Sequence, residues 1–256
     1  MGGQFQDKVV VVTGASAEGG IGWHCAERFA EEGARVIVAA RSLDGLQALA
    51  SKIGGTVVQC DIAKETDVAR VAAAAVAMGG LDVAVNAAGQ SVSSTCDSFD
   101  QQTLEAAMAV NFYGNLYFFR HMAGAMARGG SIVAVASVAA TMVVPGQLLY
   151  GSAKAATITA MKYAALEYAP RQIRVNALVP GLVNTQMIAP LIASKELLQI
   201  FMKEVPLKRI ADPVEIANAA LWLSASPSIT GTTVTIDGGN GLRRAPQPEE
   251  FASLAA

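Results

Sequence analysis

The chain has 256 residues, 52% of them apolar and 16% charged, which is enough for one large α/β domain, too few for two full ones, and unlike a disordered composition. A formal net charge of −2 excludes a general electrostatic attraction for nucleic acid or acidic membranes and leaves small-molecule chemistry as the expectation. The opening MGGQFQDKVVVVTG lacks the basic flank and long apolar run of a signal peptide, and no apolar run elsewhere approaches a membrane span, so a cytoplasmic protein is expected.

The first strand candidate, KVVVVTG, runs into the loop TGASAEGGIG, Thr13 to Gly22, and then into a helical pattern, WHCAERFAEEG, that stops at Gly33. A glycine-rich turn from strand to helix points free backbone N–H groups and the positive end of a helix dipole at whatever lies above it, and a pyrophosphate fits. Gly14 then makes the turn, Gly20 and Gly22 permit close approach, and Ser16 and Ile21 belong to the same cradle. Tight packing alone would use the same glycines. Glu18 is expected at the solvated tip of this loop.

The second strand, ARVIVAA, ends at Arg41 and Ser42. Ala40 leaves no carboxylate to repel a 2′-phosphate, while the guanidinium and hydroxyl can bind one, so NADP(H) is expected in preference to NAD(H). The third strand, TVVQCD, delivers Asp61 and Ile62, and the fourth, LDVAVNAAG, delivers Asn86, Ala88 and Gly89 to the same sheet edge. The helical run LEAAMAVNFYGNLYFF carries Asn111, a polar residue amid apolar neighbours that by itself reads as a packing amide.

The fifth strand, SIVAVAS, ends on Ser137, and YGSAK follows with Tyr150 and Lys154 four apart on one helix face. A phenol of ordinary pKa ~10 is a poor catalyst at neutral pH, but a neighbouring ammonium lowers that value, and Ser137 can bond the same substrate oxygen. Further on come a sixth strand, IRVNALVPG, a helical segment over 182–207, the Asp212-Pro213 start of EIANAALWLSA, and a last strand, TVTIDGG. The tail over 240–256 is polar and proline-bearing and is expected outside the core.

Strands that alternate with helices pair in parallel through right-handed crossovers. The fold class is therefore α/β: a single Rossmann-type doubly wound, seven-stranded parallel sheet with helices on both faces, forming one domain over 1–256. Cys25, Cys60 and Cys96 lack metal-ligand spacing and are expected as buried small hydrophobes. His24 and His121 fall in helical patterns, and no metal site is expected.

From about Lys8 to Gly239 these residues resemble the short-chain dehydrogenase/reductase family: the TG…GIG loop, Asp61, NAAG, Asn111, Ser137, Tyr150-x-x-x-Lys154, Pro180 to Thr185, and the terminal Asp237 to Gly239 occur in order. The resemblance implies a tetrad in which Tyr150 is the acid-base, Ser137 orients the substrate oxygen, Lys154 lowers the tyrosine pKa and holds the nicotinamide ribose, and Asn111 anchors a relay water. It also implies that Pro180, Gly181, Val183 and Thr185 lie against the nicotinamide. Two departures stand out. Five residues, Ala15 to Gly19, separate the first glycine from GIG where the family has three, and Ala87 replaces the usual second asparagine.

The apolar run VAATMVVPGQLL after Ser137 and the Met-, Leu- and Ile-rich segment after Pro180 point to a hydrophobic secondary alcohol or ketone as the small-molecule partner. The stretch PLKRIADPVEIANAALWLSA is similar to the β-ketoacyl carrier-protein reductases, so a β-ketoacyl thioester remains an alternative. So do an NAD(H)-dependent alcohol or hydroxysteroid dehydrogenase and a dinucleotide-sensing binding module. The resemblance also implies a homotetramer or homodimer, with helices around Leu104 to Met126 and Ile158 to Tyr168 offering faces for pairing.

Overall fold

The computed structural model of the protein describes residues 3–252, so the last four residues of the expected tail lie outside the described residues. Seven strands form one sheet: β1 (Val9–Thr13), β2 (Arg35–Ala40), β3 (Thr56–Gln59), β4 (Val83–Asn86), β5 (Gly130–Val135), β6 (Ile173–Pro180) and β7 (Thr233–Ile236). Their spatial order is β3-β2-β1-β4-β5-β6-β7 and every pairing is parallel. All seven strands expected from the sequence are present.

The valine run of β1 explains how the sheet divides the core. Successive side chains of a strand point to opposite faces, so Val9 and Val11 enter one apolar cluster while Val10 and Val12 enter the other. The first cluster packs α3 (Glu65–Ala77), α5 (Gly114–Ala125) and α6 (Leu148–Tyr168); the second packs α1 (Ile21–Glu31), α2 (Leu43–Ile53) and α9 (Pro213–Ala225). A strand buried on both faces needs a continuous apolar run, which is what the sequence supplies.

The strand order reverses between β1 and β4, and the carboxyl ends of β1, β2, β4, β5 and β6 open around that reversal. Such a reversal leaves a crevice in an open α/β sheet. The chain after β6 continues into α7 (Ala189–Ala193) and α8 (Lys195–Lys203), while α4 (Gln101–Met108) leads into α5 through one wide π-helical turn, Ala109–Tyr113. That turn interrupts what the sequence reads as one continuous helix.

Two expectations need correction. Cys25 and Cys60 are buried, and burial holds both thiols up at about 12, but Cys96 is exposed because the stretch after β4 runs over the surface. The start of the tail is not separate from the rest of the molecule: Ala245 is buried, Asn240 donates to the Glu204 carbonyl at 3.1 Å, and α10 (Pro248–Ala252) brings Phe251 against Phe201 of α8. Among the described residues no helix is long and apolar enough to cross a membrane.

Candidate active site

The crevice at the strand reversal is a cavity of about 490 Å³, of ordinary size for a small-molecule site. Its wall begins at the glycine loop with Gly14, Ser16, Gly20, Ile21 and Gly22, passes Arg41, Ser42, Asp61 and Ile62, and turns at Ala88 and Gly89. It ends among Ser137, Tyr150, Lys154, Pro180, Gly181, Val183 and Thr185.

Local chemistry explains the cradle. Gly14 has φ +72, and a Cβ there would meet the Ala88 backbone nitrogen at 2.5 Å, so the loop can lie against the end of β4 only with glycine at that position. At Gly22 a Cβ would meet the Gly14 carbonyl oxygen at 2.4 Å, which makes the entry into α1 equally tight. The N-cap of α1 is Gly20 and brings no side-chain cap, so the first-turn amides of the helix remain available to an anion. Glu18 is exposed and outside the cavity wall, and its charge acts on Lys52 of α2. The two additional loop residues therefore carry their carboxylate away from the cradle.

At the far end of the wall, Ser137 follows β5 and its hydroxyl accepts from the Ala139 N–H at 3.2 Å. Burial pushes the Tyr150 phenol up, and a hydrogen bond with Ser137 pulls it partly back. Lys154 is buried one helical turn along, 5.7 Å from the Tyr150 ring centroid, with its Nζ donating to the Val135 carbonyl at 2.8 Å. Burial draws its ammonium down to about 8. The expected lowering of the tyrosine by this ammonium is thus outweighed: desolvation governs both groups and moves each towards its neutral form.

Two residues expected at the site stand behind its wall. Asn86 is buried, accepts from the Thr13 hydroxyl at 2.6 Å and from the Ala88 N–H at 3.1 Å, and donates to Asn115 at 2.8 Å. It ties the ends of β1 and β4 together rather than facing a ligand. Asn111 is likewise buried: its side chain exchanges hydrogen bonds with the Gln90 backbone at 2.9 and 3.1 Å, and donates to the Ala107 carbonyl at 3.0 Å.

In the π-helical turn the Asn111 carbonyl accepts from the Asn115 side-chain amide at 2.9 Å and from the Thr157 hydroxyl at 2.8 Å. Asn111 also comes close to the wall from behind. A Cβ on Gly89 would lie 3.3 Å from the Lys154 Nζ and 3.4 Å from the Asn111 Oδ1.

The wall also includes residues that sequence reasoning did not place at the site, chiefly Cys60, Val110 and Gln186, together with Met187 and Ile188 of the apolar segment expected near the substrate. Apolar residues in a helix or strand carry no mark of function. Only their neighbours, Asp61, Asn111 and Thr185, could have drawn attention to them. The terminal Asp237 to Gly239 run acts from outside the wall: Asp237 accepts from the Gly239 N–H at 2.8 Å, and a Cβ on Gly181 would meet the Asp237 Cα at 2.8 Å. The motif holds the end of β7 against the turn that follows β6.

A family model described as enoyl-(acyl carrier protein) reductase matches residues 14–240, nearly the whole stretch that carries the cradle and the Tyr-Lys pair. The chain belongs to the short-chain dehydrogenase/reductase family. Members act on alcohol and ketone groups with a nicotinamide dinucleotide, so this protein is an oxidoreductase and the binding-module alternative falls. The short-chain dehydrogenase/reductase relatives include a glucose 1-dehydrogenase of Gluconobacter oxydans, 38% identical over 248 residues with 92% of each chain covered. They also include a bovine 3-oxoacyl-[acyl-carrier-protein] reductase, 34% identical over 238 residues, covering 91% of this chain and 98% of the relative. A short-chain type dehydrogenase/reductase from Mycobacterium ulcerans superposes with a TM-score of 0.91 at 31% identity, covering 98% of this chain and 94% of that one.

The residues present fit the dinucleotide that the family uses. The uncapped start of α1 and the glycine cradle suit a pyrophosphate, and no described protein group hydrogen-bonds or ion-pairs with the Arg41 guanidinium. Among the described residues no group of three or more His, Cys, Asp or Glu is arranged to hold a metal ion.

Proposed function

We propose that this enzyme interconverts a hydrophobic secondary alcohol and its ketone with NADP(H), using Tyr150 as proton donor and acceptor, Ser137 to hold the substrate oxygen, and Lys154 to stabilise the phenolate. The observation that carries the reading is the single cavity wall, which joins the unpaired Arg41 and Ser42 at one end to Ser137, Tyr150 and Lys154 at the other. Gly14, Ser16, Gly20, Ile21 and Gly22 would hold the pyrophosphate, Asp61, Ile62, Ala88 and Gly89 the adenosine and its neighbourhood, and Pro180, Gly181, Val183 and Thr185 the nicotinamide.

A bound nicotinamide supplies the hydride donor or acceptor. The chain's own part is the proton. In reduction the Tyr150 O–H donates to the developing alkoxide while the Ser137 hydroxyl fixes that oxygen; in oxidation the phenolate takes the proton back. Lys154 keeps two N–H groups beyond the one spent on Val135, enough to hold ribose hydroxyls beside the phenol. Asn111 serves as a brace for Gly89 and Gln90, which keeps the Lys154 Nζ at its station. Met187 and Ile188 supply apolar wall next to the reacting end, and the segment over 182–207 would cover a bulky substrate.

A β-ketoacyl thioester as substrate is the second reading, supported by the family description and by the bovine relative. A panel of hydrophobic ketones and acyl thioesters assayed with each cofactor separates the two. For the cofactor, the dissociation constants of NADPH and NADH are measured for the wild type and for Arg41→Ala. Loss of charge-assisted hydrogen bonds worth about 1.5–3 kcal/mol predicts NADPH binding weaker by roughly 10- to 100-fold, with NADH little changed. Equal binding of the two by the wild type would remove the NADP(H) assignment.

A further inference from the structure

Arg41 and Ser42 follow β2, and α2 starts at Leu43 with Ser42 as its N-cap; the Ser42 side chain makes no capping hydrogen bond. On the opposite bank of the same cavity lies the lengthened loop, represented by Ser16 and Ala17. The two banks come close at Gly45. A Cβ built on Gly45, in the first turn of α2, would lie 2.0 Å from the Ser16 carbonyl oxygen and 3.1 Å from the Ser16 Cβ.

No side chain can occupy that position unless the backbone moves. The obstacle is a carbonyl, which cannot rotate aside as a flexible side chain can, and relief to an ordinary contact would need the loop and α2 to separate by at least ~1 Å. With glycine, a Cα hydrogen faces the oxygen instead, a weak C–H···O contact that lets the helix start rest on the loop. The loop side is held as well: Gly19 has φ +71, and the Gly20 N–H donates to the Ala17 carbonyl at 2.9 Å. Glu18 is exposed, and its charge acts on Lys52 further along α2.

We propose that Gly45 is a positioning residue for cofactor choice: by letting α2 seat on the Ser16 carbonyl, it sets the gap between the lengthened glycine loop and the Arg41–Ser42 corner, and with it the preference for NADP(H) over NAD(H). The inference rests on the NADP(H) reading above. It extends that reading to a residue outside the cavity wall, in a helix turn that contacts the loop.

The test measures NADPH and NADH dissociation constants by calorimetry on four chains: the wild type, Gly45→Ala, a chain lacking Ala17 and Glu18, and the combination. Thermal melting of each chain is recorded alongside. Gly45→Ala is expected to weaken NADPH by about tenfold or more and NADH by less than about threefold, because the displaced corner is the one a 2′-phosphate would use. In the shortened loop the same substitution should alter the NADPH to NADH ratio by less than about twofold, a coupling that general destabilisation would not produce.

An unchanged ratio in a folded Gly45→Ala chain, or an equal loss for both cofactors, overturns the inference. If Gly45→Ala does not melt cooperatively, the shortened chain with Gly45 intact decides: loss of the NADPH preference supports the inference and retention overturns it. The NADP(H) reading itself fails on the wild-type ratio alone, so the two failures are distinguishable.

Discussion

Tyr150 and Lys154 are both pushed by burial towards their neutral forms, and this has opposite consequences for the two directions of the reaction. Reduction needs the phenol protonated, a condition met throughout the neutral range when the phenol lies above its ordinary value. Oxidation needs the phenolate. The expected pH profiles of the saturated enzyme are therefore a flat reductive rate from pH 6 to 8 and an oxidative rate that climbs with pH, about tenfold per unit while the phenolate is scarce. A reductive rate that rises steadily with pH over that range would show that the tyrosine is not the acid. Tyr150→Phe should lower turnover by at least about 100-fold in both directions with cofactor affinity retained.

Lys154 also makes a stability prediction at this scale. Its folded pKa of about 8 lies below its ordinary value of 10.5, so between those values the unfolded chain binds more protons. Stability of the cofactor-free protein therefore rises as pH increases from about 8 towards 10; beyond that the raised Tyr150 opposes the trend. In Lys154→Met this rise should be missing from the melting temperature plotted against pH. A wild-type curve with the same slope as the variant would contradict the assignment.

At the scale of elements, the helix ends decide which features were legible in the sequence. Asp212-Pro213 announced the start of α9, and there the Glu215 carboxylate accepts from the Asp212 N–H at 2.9 Å. The end of the same helix carried no signal: Arg174, near the start of a strand pattern, donates to the Leu223, Ser224 and Ile229 carbonyls at 2.8, 2.7 and 3.2 Å. A side chain that caps a helix 49 residues away leaves no local pattern. Asn111 and Asn86 were legible as polar residues among apolar ones, but their direction was not, because the π-helical turn that reorients Asn111 depends on packing against Gln90 and Thr157. Arg174→Met keeps the apolar stem and removes three hydrogen bonds, two of them at the last residues of α9. A loss of about 1–3 kcal/mol of unfolding free energy is expected, with earlier hydrogen exchange at the end of α9. Unchanged exchange there would mean that the helix end is held by other groups.

At the scale of the whole molecule, the two segments farthest from the strand motifs are joined to each other. The Glu204 side chain at the end of α8 is only 7% exposed, and it meets Arg243 at 3.3 Å and Arg244 at 3.2 Å. Arg244 also pairs with Glu250 at 2.6 Å, so the carboxylate, two arginines and a second acid bind residues 240–252 across α8. The arginines are about half exposed, which limits the energy of the pairs; the buried carboxylate gives the cluster its leverage, because it loses water on folding and, among the described residues, finds its cationic partners in the tail. Glu204→Gln keeps the shape and removes the charge. Global melting should fall by no more than a few degrees, whereas hydrogen exchange over α8 and residues 240–252 should speed up together by roughly tenfold or more, since each segment lends its packing to the other. If α8 covers the substrate, as proposed, the same variant raises the KM for the ketone while the NADPH dissociation constant stays within about twofold. Faster exchange in the tail alone, with α8 and KM unmoved, would show that the helix stands without the tail and that the Glu204 cluster serves only the chain end.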